Sequence, residues 1–172
     1  DAPETTNHIL QNCYRTHGRR VARHNCVVNN LKRILEEKGH TVHVEPSLQL
    51  ETSVSKPDLV CIRDNHACVI DAQIVTDGLF LDDVHHRKVE KYKRPEVISA
   101  LRREFGVSGN VEVLSATLNW RGIWSNQSVR RLIAKGLISS GDSNVISARV
   151  VTGGLYCFRQ FMYLAGYTRD WT

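Results

Sequence analysis

The amino-acid order predicts an α/β sandwich, a mixed β-sheet flanked by α-helices. Three observations predict it. Short runs rich in β-branched residues, bounded by turn residues, recur through the first two thirds of the 172-residue chain. Apolar residues on either side of them recur at the spacing of one helix face. The resulting order is helix, three strands, helix, strand, then further helices, and such an order stacks helices on a sheet.

Residues 1–18 are polar and rich in His, Asn and Thr, and read as a lead-in that Gly18 ends. Val21, Val27, Val28, Leu31, Ile34 and Leu35 then predict a helix from about Arg20 to Lys38, stopped at Gly39. Arg19, Arg20, Arg23, Lys32 and Arg33 fall on its other sides. Thr41–Val44 and Leu48–Thr52 are β-rich and broken by Pro46, giving one strand or a bent pair. Two strands follow, Leu59–Ile62 and Cys68–Val75, joined by Arg63-Asp64-Asn65-His66 as a hairpin. Pro95 suits a first turn, so the next helical stretch divides into 82–93 and 95–105. Val111–Ala116 is the last strand. Ser125 caps a helix through Leu137 with Val129, Leu132 and Ile133 inward, Ser139–Asn144 is a loop, and a final helix spans roughly Ser147–Tyr163 with Gly153-Gly154 against its first half.

The totals bound the function. One domain of ordinary globular composition is expected over 19–172, since 41% of residues are hydrophobic and 24% charged. A net charge of +5 before counting eight histidines points to an anionic partner, nucleic acid above all. No run of 18 apolar residues occurs, so no membrane span is expected. Five cysteines form no compact framework, and Cys61 and Cys68 sit inside apolar strands, which reads as free thiols in a reducing compartment. The chain begins without methionine, which suggests a piece of something longer.

The chemistry concentrates between Lys56 and Tyr92. Asp58 opens one apolar strand after Pro57, and Asp71 lies inside the next, between Ile70 and Ala72. Lys88 follows on the predicted helix, with Lys91 and Tyr92 at i+3 and i+4 on its face. Phosphodiesters resist hydrolysis because an anion repels its nucleophile. Carboxylates that hold a divalent ion, beside a lysine, relieve that repulsion. Mg²⁺ requires one or two protein carboxylates, since it keeps waters and takes phosphate oxygens.

Lys56-Pro57-Asp58, Asp71 and Lys88-Val89-Glu90-Lys91-Tyr92 resemble the restriction-like endonuclease domain of site-specific non-LTR retrotransposons, a branch of the PD-(D/E)xK nuclease superfamily. The resemblance covers roughly residues 1–120. It implies a restriction-endonuclease-like α-β-β-β-α-β core with C-terminal helices. It implies Asp58 and Asp71 as ligands of Mg²⁺ or Mn²⁺, and Lys88 in acid/base or electrostatic work. Superfamily members commonly carry a lysine two residues after the second acid; here that position is Gln73, and Lys88 matches the lysine that this branch supplies from the helix. Lys56, Gln73, Lys91 and Tyr92 are expected to support the site or touch DNA. Arg15, Arg19, Arg20 and Arg23 are expected on nucleic-acid phosphates. His8 and Cys13 have the spacing of the second half of a CCHC zinc knuckle, so residues 1–18 read as its remnant, with Zn²⁺ bound only in a longer parent.

The implied function is nicking of double-stranded DNA in the nucleus, freeing a 3′-hydroxyl that primes reverse transcription of element RNA by a polymerase domain of the parent. The alternatives are a non-catalytic nucleic-acid-binding module, to which Gln73 lends room, and an assembly role in which helices 125–163 dock on the polymerase. Trp120-Arg121-Gly122-Ile123-Trp124 reads as a lid on the core or a base-stacking surface, and His85-His86 as surface residues.

Overall fold

The structure, a computed structural model, describes residues 4–167. A π-helical turn, His8–Asn12, and a 3₁₀ turn, Tyr14–Thr16, lead into α1 (His17–Glu37). Then come β1 (Thr41–Val44), a two-residue pair β2 (Leu48–Gln49) and β3 (Val54–Ser55), β4 (Leu59–Arg63) and β5 (His66–Val75). After them lie α2 (Leu81–Tyr92), α3 (Pro95–Phe105), β6 (Val111–Asn119), α4 (Asn126–Ala134) and α5 (Ser140–Leu164).

The main sheet runs β1-β4-β5-β6. β1–β4 and β4–β5 are antiparallel and β5–β6 is parallel, so the sheet is mixed. Asp64 and Asn65 close the β4–β5 hairpin, both at positive φ, which short polar side chains tolerate best. The parallel join needs a crossover, and α2 with α3 supplies it.

Side chains alternate between the two faces of the sheet. Leu59, Cys61, Ile70, Ala72, Leu114, Ala116 and Leu118 pack under Val27, Val28, Leu31 and Leu35 of α1 and Ile146 and Val150 of α5. Val60, Val69 and Val113 pack under Val89 and Tyr92 of α2 and Val97 and Leu101 of α3. A third cluster joins Ile9, Leu10 and Cys13 of the lead-in to Cys157 and Phe161 of α5. All five cysteines are free thiols, and Cys61 and Cys68 are buried as expected of small hydrophobes. No helix among the described residues is long and apolar enough to cross a membrane.

Several expectations are corrected. Leu48–Thr52 forms no strand of the main sheet; Leu48 and Gln49 pair with Val54 and Ser55 beside it. Ser139–Asn144 is helical from Ser140. The Ser139 hydroxyl accepts the Asp142 N–H (3.1 Å) and the Asp142 carboxylate accepts the Ser139 N–H (2.8 Å), a capping box that the polar composition disguised. α4 stops at Ala134 and leaves Ile133 exposed, because the chain turns at Gly136 with φ 68°. Val21 is exposed, and Arg23, placed on a solvent side of α1, is buried.

Gly153-Gly154 does not break α5; it makes room. A Cβ on Gly153 would stand 2.5 Å from Cγ of Arg23, in mid-stem. Arg23 is anchored at the other end, donating from Nη2 to Leu10 O (2.9 Å), so it has little freedom to yield. Gly153→Ala gains ~1 kcal/mol of helix propensity, and overpacking costs about 1–3 kcal/mol. The expected outcome is net destabilisation of about 1–2 kcal/mol, measured by urea unfolding; a stabilised variant would show that Arg23 does not fill this notch.

Candidate active site

Asp58 and Asp71 come together through the hairpin. Leu59 pairs with Ile70 and Val60 with Val69, and continuing that register one residue sets Asp58 opposite Asp71. Directly opposed residues have Cβ atoms about 5 Å apart. Asp71 follows Ile70 and so points to the α2 face, where its side chain is 4% exposed. A carboxylate so buried requires a partner. Lys88, on the sheet side of α2, brings Nζ to 2.6 Å from Asp71 Oδ2. The contact is an ion pair off the line of a hydrogen bond, so the buried Oδ2 retains acceptor capacity.

Asp58 turns its carboxylate across the start of β4. Oδ2 accepts the Ala72 N–H (2.7 Å), capping β5 where β4 no longer covers it, and lies 3.2 Å from Nε2 of His24. The same nitrogen lies 3.2 Å from Ala72 O. The hydrogen bond to Asp58, outweighing burial and joined by the Asp58 charge, lifts the His24 imidazole from 6.5 to about 9. His24 thus carries a positive charge on this carboxylate at neutral pH.

Tyr92 closes the floor. Its hydroxyl donates to Lys56 O (3.0 Å) and accepts from Lys91 Nζ (3.0 Å). Burial, then the negative charges of Asp71 and Asp58, push this phenol far above its ordinary range. It stays neutral, its O–H given to Lys56 O. Lys91 also lies over the Tyr92 ring, 4.6 Å from its centroid, and Lys56 is exposed. Gln73 is turned inward: its amide donates to Thr117 Oγ1 (2.8 Å) and Val84 O (3.2 Å). Thr117 lies 2.8 Å from Ser115 Oγ, which lies 2.8 Å from Nδ1 of His85. His85 is therefore buried rather than a surface residue, and burial, with Arg131, holds its imidazole below the usual range. This polar chain fastens α2 over the strands that carry Asp71.

His24 and His85 are the site residues that sequence reasoning passed over. Each carried a signal. His24 continues the inward stripe of α1 through Val27, Val28 and Leu31, and His85 shares the sheet side of α2 with Lys88, Val89 and Tyr92.

The basic lead-in is knitted to the protein. Arg15 lies over the Tyr14 and Phe161 rings, Arg19 donates to Gln160 Oε1 (2.9 Å), and Arg20 donates to Gln11 O and Cys13 O. His8 and Cys13 share one turn, with the Cys13 N–H on His8 O (2.7 Å), and the Cys13 side chain lies in the apolar cluster on α5. Trp120 and Trp124 donate to Asn7 Oδ1 and Ser143 O, in keeping with a lid on the core.

The donor set suits a hard cation: two carboxylates, one with unspent capacity on a buried oxygen. No group of three His, Cys, Asp or Glu among the described residues gathers to hold a metal by itself. Two acids meet the needs of Mg²⁺, which completes its shell with waters and phosphate oxygens.

The His24–Asp58 pair predicts a pH dependence. The folded-state pKa of His24 is raised, so its stabilisation is complete below about 6.5 and is lost as pH rises through about 9. His24 is 30% exposed and Asp58 16%, and this screening leaves about 1–2 kcal/mol of the effect, or ~2–8 °C in Tm. Thermal melts from pH 6 to 10 in EDTA should show this decline, and His24→Gln should flatten it. Equal slopes in both proteins would dismiss the pair.

Fold and site together define a class: an α/β domain whose two central strands set two acids opposite each other in register, one of them paired with a helix-borne lysine. No family model matches the chain. Its sequence relatives are R2 retrotransposon Pol polyproteins. It is 65% identical over its whole length to the retrovirus-related Pol polyprotein from type-2 retrotransposable element R2DM of Drosophila melanogaster. It is 32% identical over 160 residues to the type-1 R2 Pol polyprotein of Nasonia vitripennis, and 34% identical over 161 residues to that of Popillia japonica, in each case 92% of this chain. The chain spans 16% of the Drosophila and Nasonia proteins and 33% of the Popillia one.

Proposed function

We propose that this chain is the restriction-like endonuclease domain of an R2-type retrotransposon protein, and that it nicks double-stranded DNA with the aid of Mg²⁺ or Mn²⁺. The observation that carries the reading is the convergence of Asp58, Asp71 and Lys88: two carboxylates opposed across a hairpin, with the amine 2.6 Å from one of them.

Asp58 and Asp71 would hold the ion. When bound, a divalent ion neutralises the phosphate and acidifies a water. The chain's own groups do the rest. Lys88, with Nζ 2.6 Å from Asp71, is placed to stabilise negative charge growing on the phosphate. Lys91 offers an ammonium, held beside the site by the Tyr92 hydroxyl. His24 and the Ala72 N–H fix the Asp58 carboxylate, and Gln73, Thr117, Ser115 and His85 fix α2. Lys88 takes over the electrostatic duty that Gln73, bound to Thr117 and Val84, leaves vacant.

In the parent protein the nick would expose a 3′-hydroxyl for reverse transcription of element RNA, in the nucleus, with a zinc knuckle completed around His8 and Cys13. The test is nicking of supercoiled DNA by the parent protein with its polymerase substrates withheld. Mg²⁺ or Mn²⁺ should support nicking, and EDTA should abolish it while DNA binding persists. Cleavage that survives EDTA would overturn the metal-dependent reading.

One observation favours an added assembly role. Val151, Leu155 and Phe158 are exposed at i, i+4 and i+7 on α5. They form a stripe suited to packing against another part of the polyprotein.

A further inference from the structure

A cavity of about 290 Å³ lies in the seam between α1 and α5, lined by Arg19, Ala22, Arg23, Cys26, Arg149, Thr152, Gly153 and Tyr156. Four residues come from each helix at i, i+3, i+4 and i+7, so one face of α1 meets one face of α5 across it. The small residues Ala22, Thr152 and Gly153 leave the space. Three arginines border it, and no acid lines it.

Arg23 is the informative member. It is 3% exposed. Nη2 donates to Leu10 O (2.9 Å) and Gln11 Oε1 (3.2 Å), whereas Nε and Nη1 are buried and find no partner among the described residues. Burial, with the like charge of Arg20, pulls this guanidinium below its ordinary range, and among the described residues no carboxylate forms an ion pair with it. A buried guanidinium without a counter-ion costs several kcal/mol. α5 nonetheless sets Gly153 against its stem, at a position where any side chain would collide. Arg23 thus sets a fixed positive charge behind the seam, its stem walling the cavity against Gly153 and its head tied to the lead-in.

We propose that this seam is a phosphate-binding site for the backbone of a nucleic acid, with Arg19 and Arg149 as its exposed jaws and Arg23 as its buried charge. This deepens the proposed function and rests on its nucleic-acid partner, though not on cleavage. Phosphodiester oxygens suit the site because arginine offers forked donors to paired oxygens, and because the positive rim is open for a strand to cross. Tyr156 adds a hydroxyl at the same rim. The site takes a backbone and reads no bases, so it would hold a strand in register while the carboxylates act elsewhere.

The experiment compares the parent protein with Arg149→Gln and with Arg19→Gln/Arg149→Gln. Both residues are exposed, and melting curves verify that the variants fold. Binding to duplex DNA and to single-stranded RNA is measured against KCl concentration in EDTA, so that nothing is cut. Each lost phosphate contact should make the slope of log K against log[KCl] shallower by about 0.9 on duplex DNA, or about 0.7 on a single strand. The single variant should lose about one contact and the double about two. A change on DNA alone assigns the strand to the target, and a change on RNA alone to the element transcript; either supports the site. Unchanged slopes on both overturn it. So does a melting shift with inorganic phosphate that the variants lose while the slopes stay fixed, since the site would then take a free anion. If the wild-type protein never nicks DNA but the slopes change, the nuclease reading falls and this site stands.

Discussion

Asp58→Asn is expected to reduce metal-dependent nicking about a thousandfold, with DNA affinity within about threefold of wild type. Charge stabilisation by a bound ion is worth several kcal/mol, and about 4 kcal/mol is a factor of about a thousand in rate. Asp58 also accepts the Ala72 N–H at 2.7 Å, and the asparagine carbonyl can keep that bond. Asp58→Ala cannot, and it should cost a further ~1–3 kcal/mol of stability for an unsatisfied backbone donor. Both variants should fail to nick, and the alanine variant should melt lower. Nicking at wild-type rate by Asp58→Asn, measured with Mg²⁺ on supercoiled DNA, would remove Asp58 from the site.

Lys88→Met should damage stability and activity together. Asp71 is 4% exposed and Lys88 27%, so methionine leaves a buried carboxylate without its cation. Breaking a buried pair costs about 3–5 kcal/mol, and the partial exposure of Lys88 brings the expected loss toward about 3 kcal/mol, or ~6–12 °C in Tm. Nicking should fall by about a hundredfold or more. The double variant Lys88→Met/Asp71→Asn separates the effects: stability should return, because no charge remains buried, and activity should not. A double variant as unstable as the single would mean that Lys88 acts by packing alone.

The parts of the site that were legible in the sequence are those made by neighbours along the chain. A hairpin of two short strands sets Asp58 opposite Asp71 through its register, whatever the rest of the molecule does. α2 begins six residues after β5 ends, and its helical period aims Lys88, Val89 and Tyr92 at one place. The mixed sheet followed from the order of the elements.

Contacts that span long stretches of chain were not legible. His24 reaches Asp58 across 34 positions, and no local pattern states that α1 lies over that end of the sheet. Arg23 reads as a solvated charge until α5 and the lead-in close over it. Ser139-Ser140-Gly141-Asp142 reads as a loop until the reciprocal cap is seen.

By itself, the sequence determined the mixed sheet, its facing acids and the amine beside them, because strand alternation and helical period operate over a few residues. Only the tertiary structure decided how the charges are matched: which histidine holds Asp58, what Gln73 is bound to, and which arginine lies buried. Electrostatic energies depend on distance and burial in space, and chain order specifies neither.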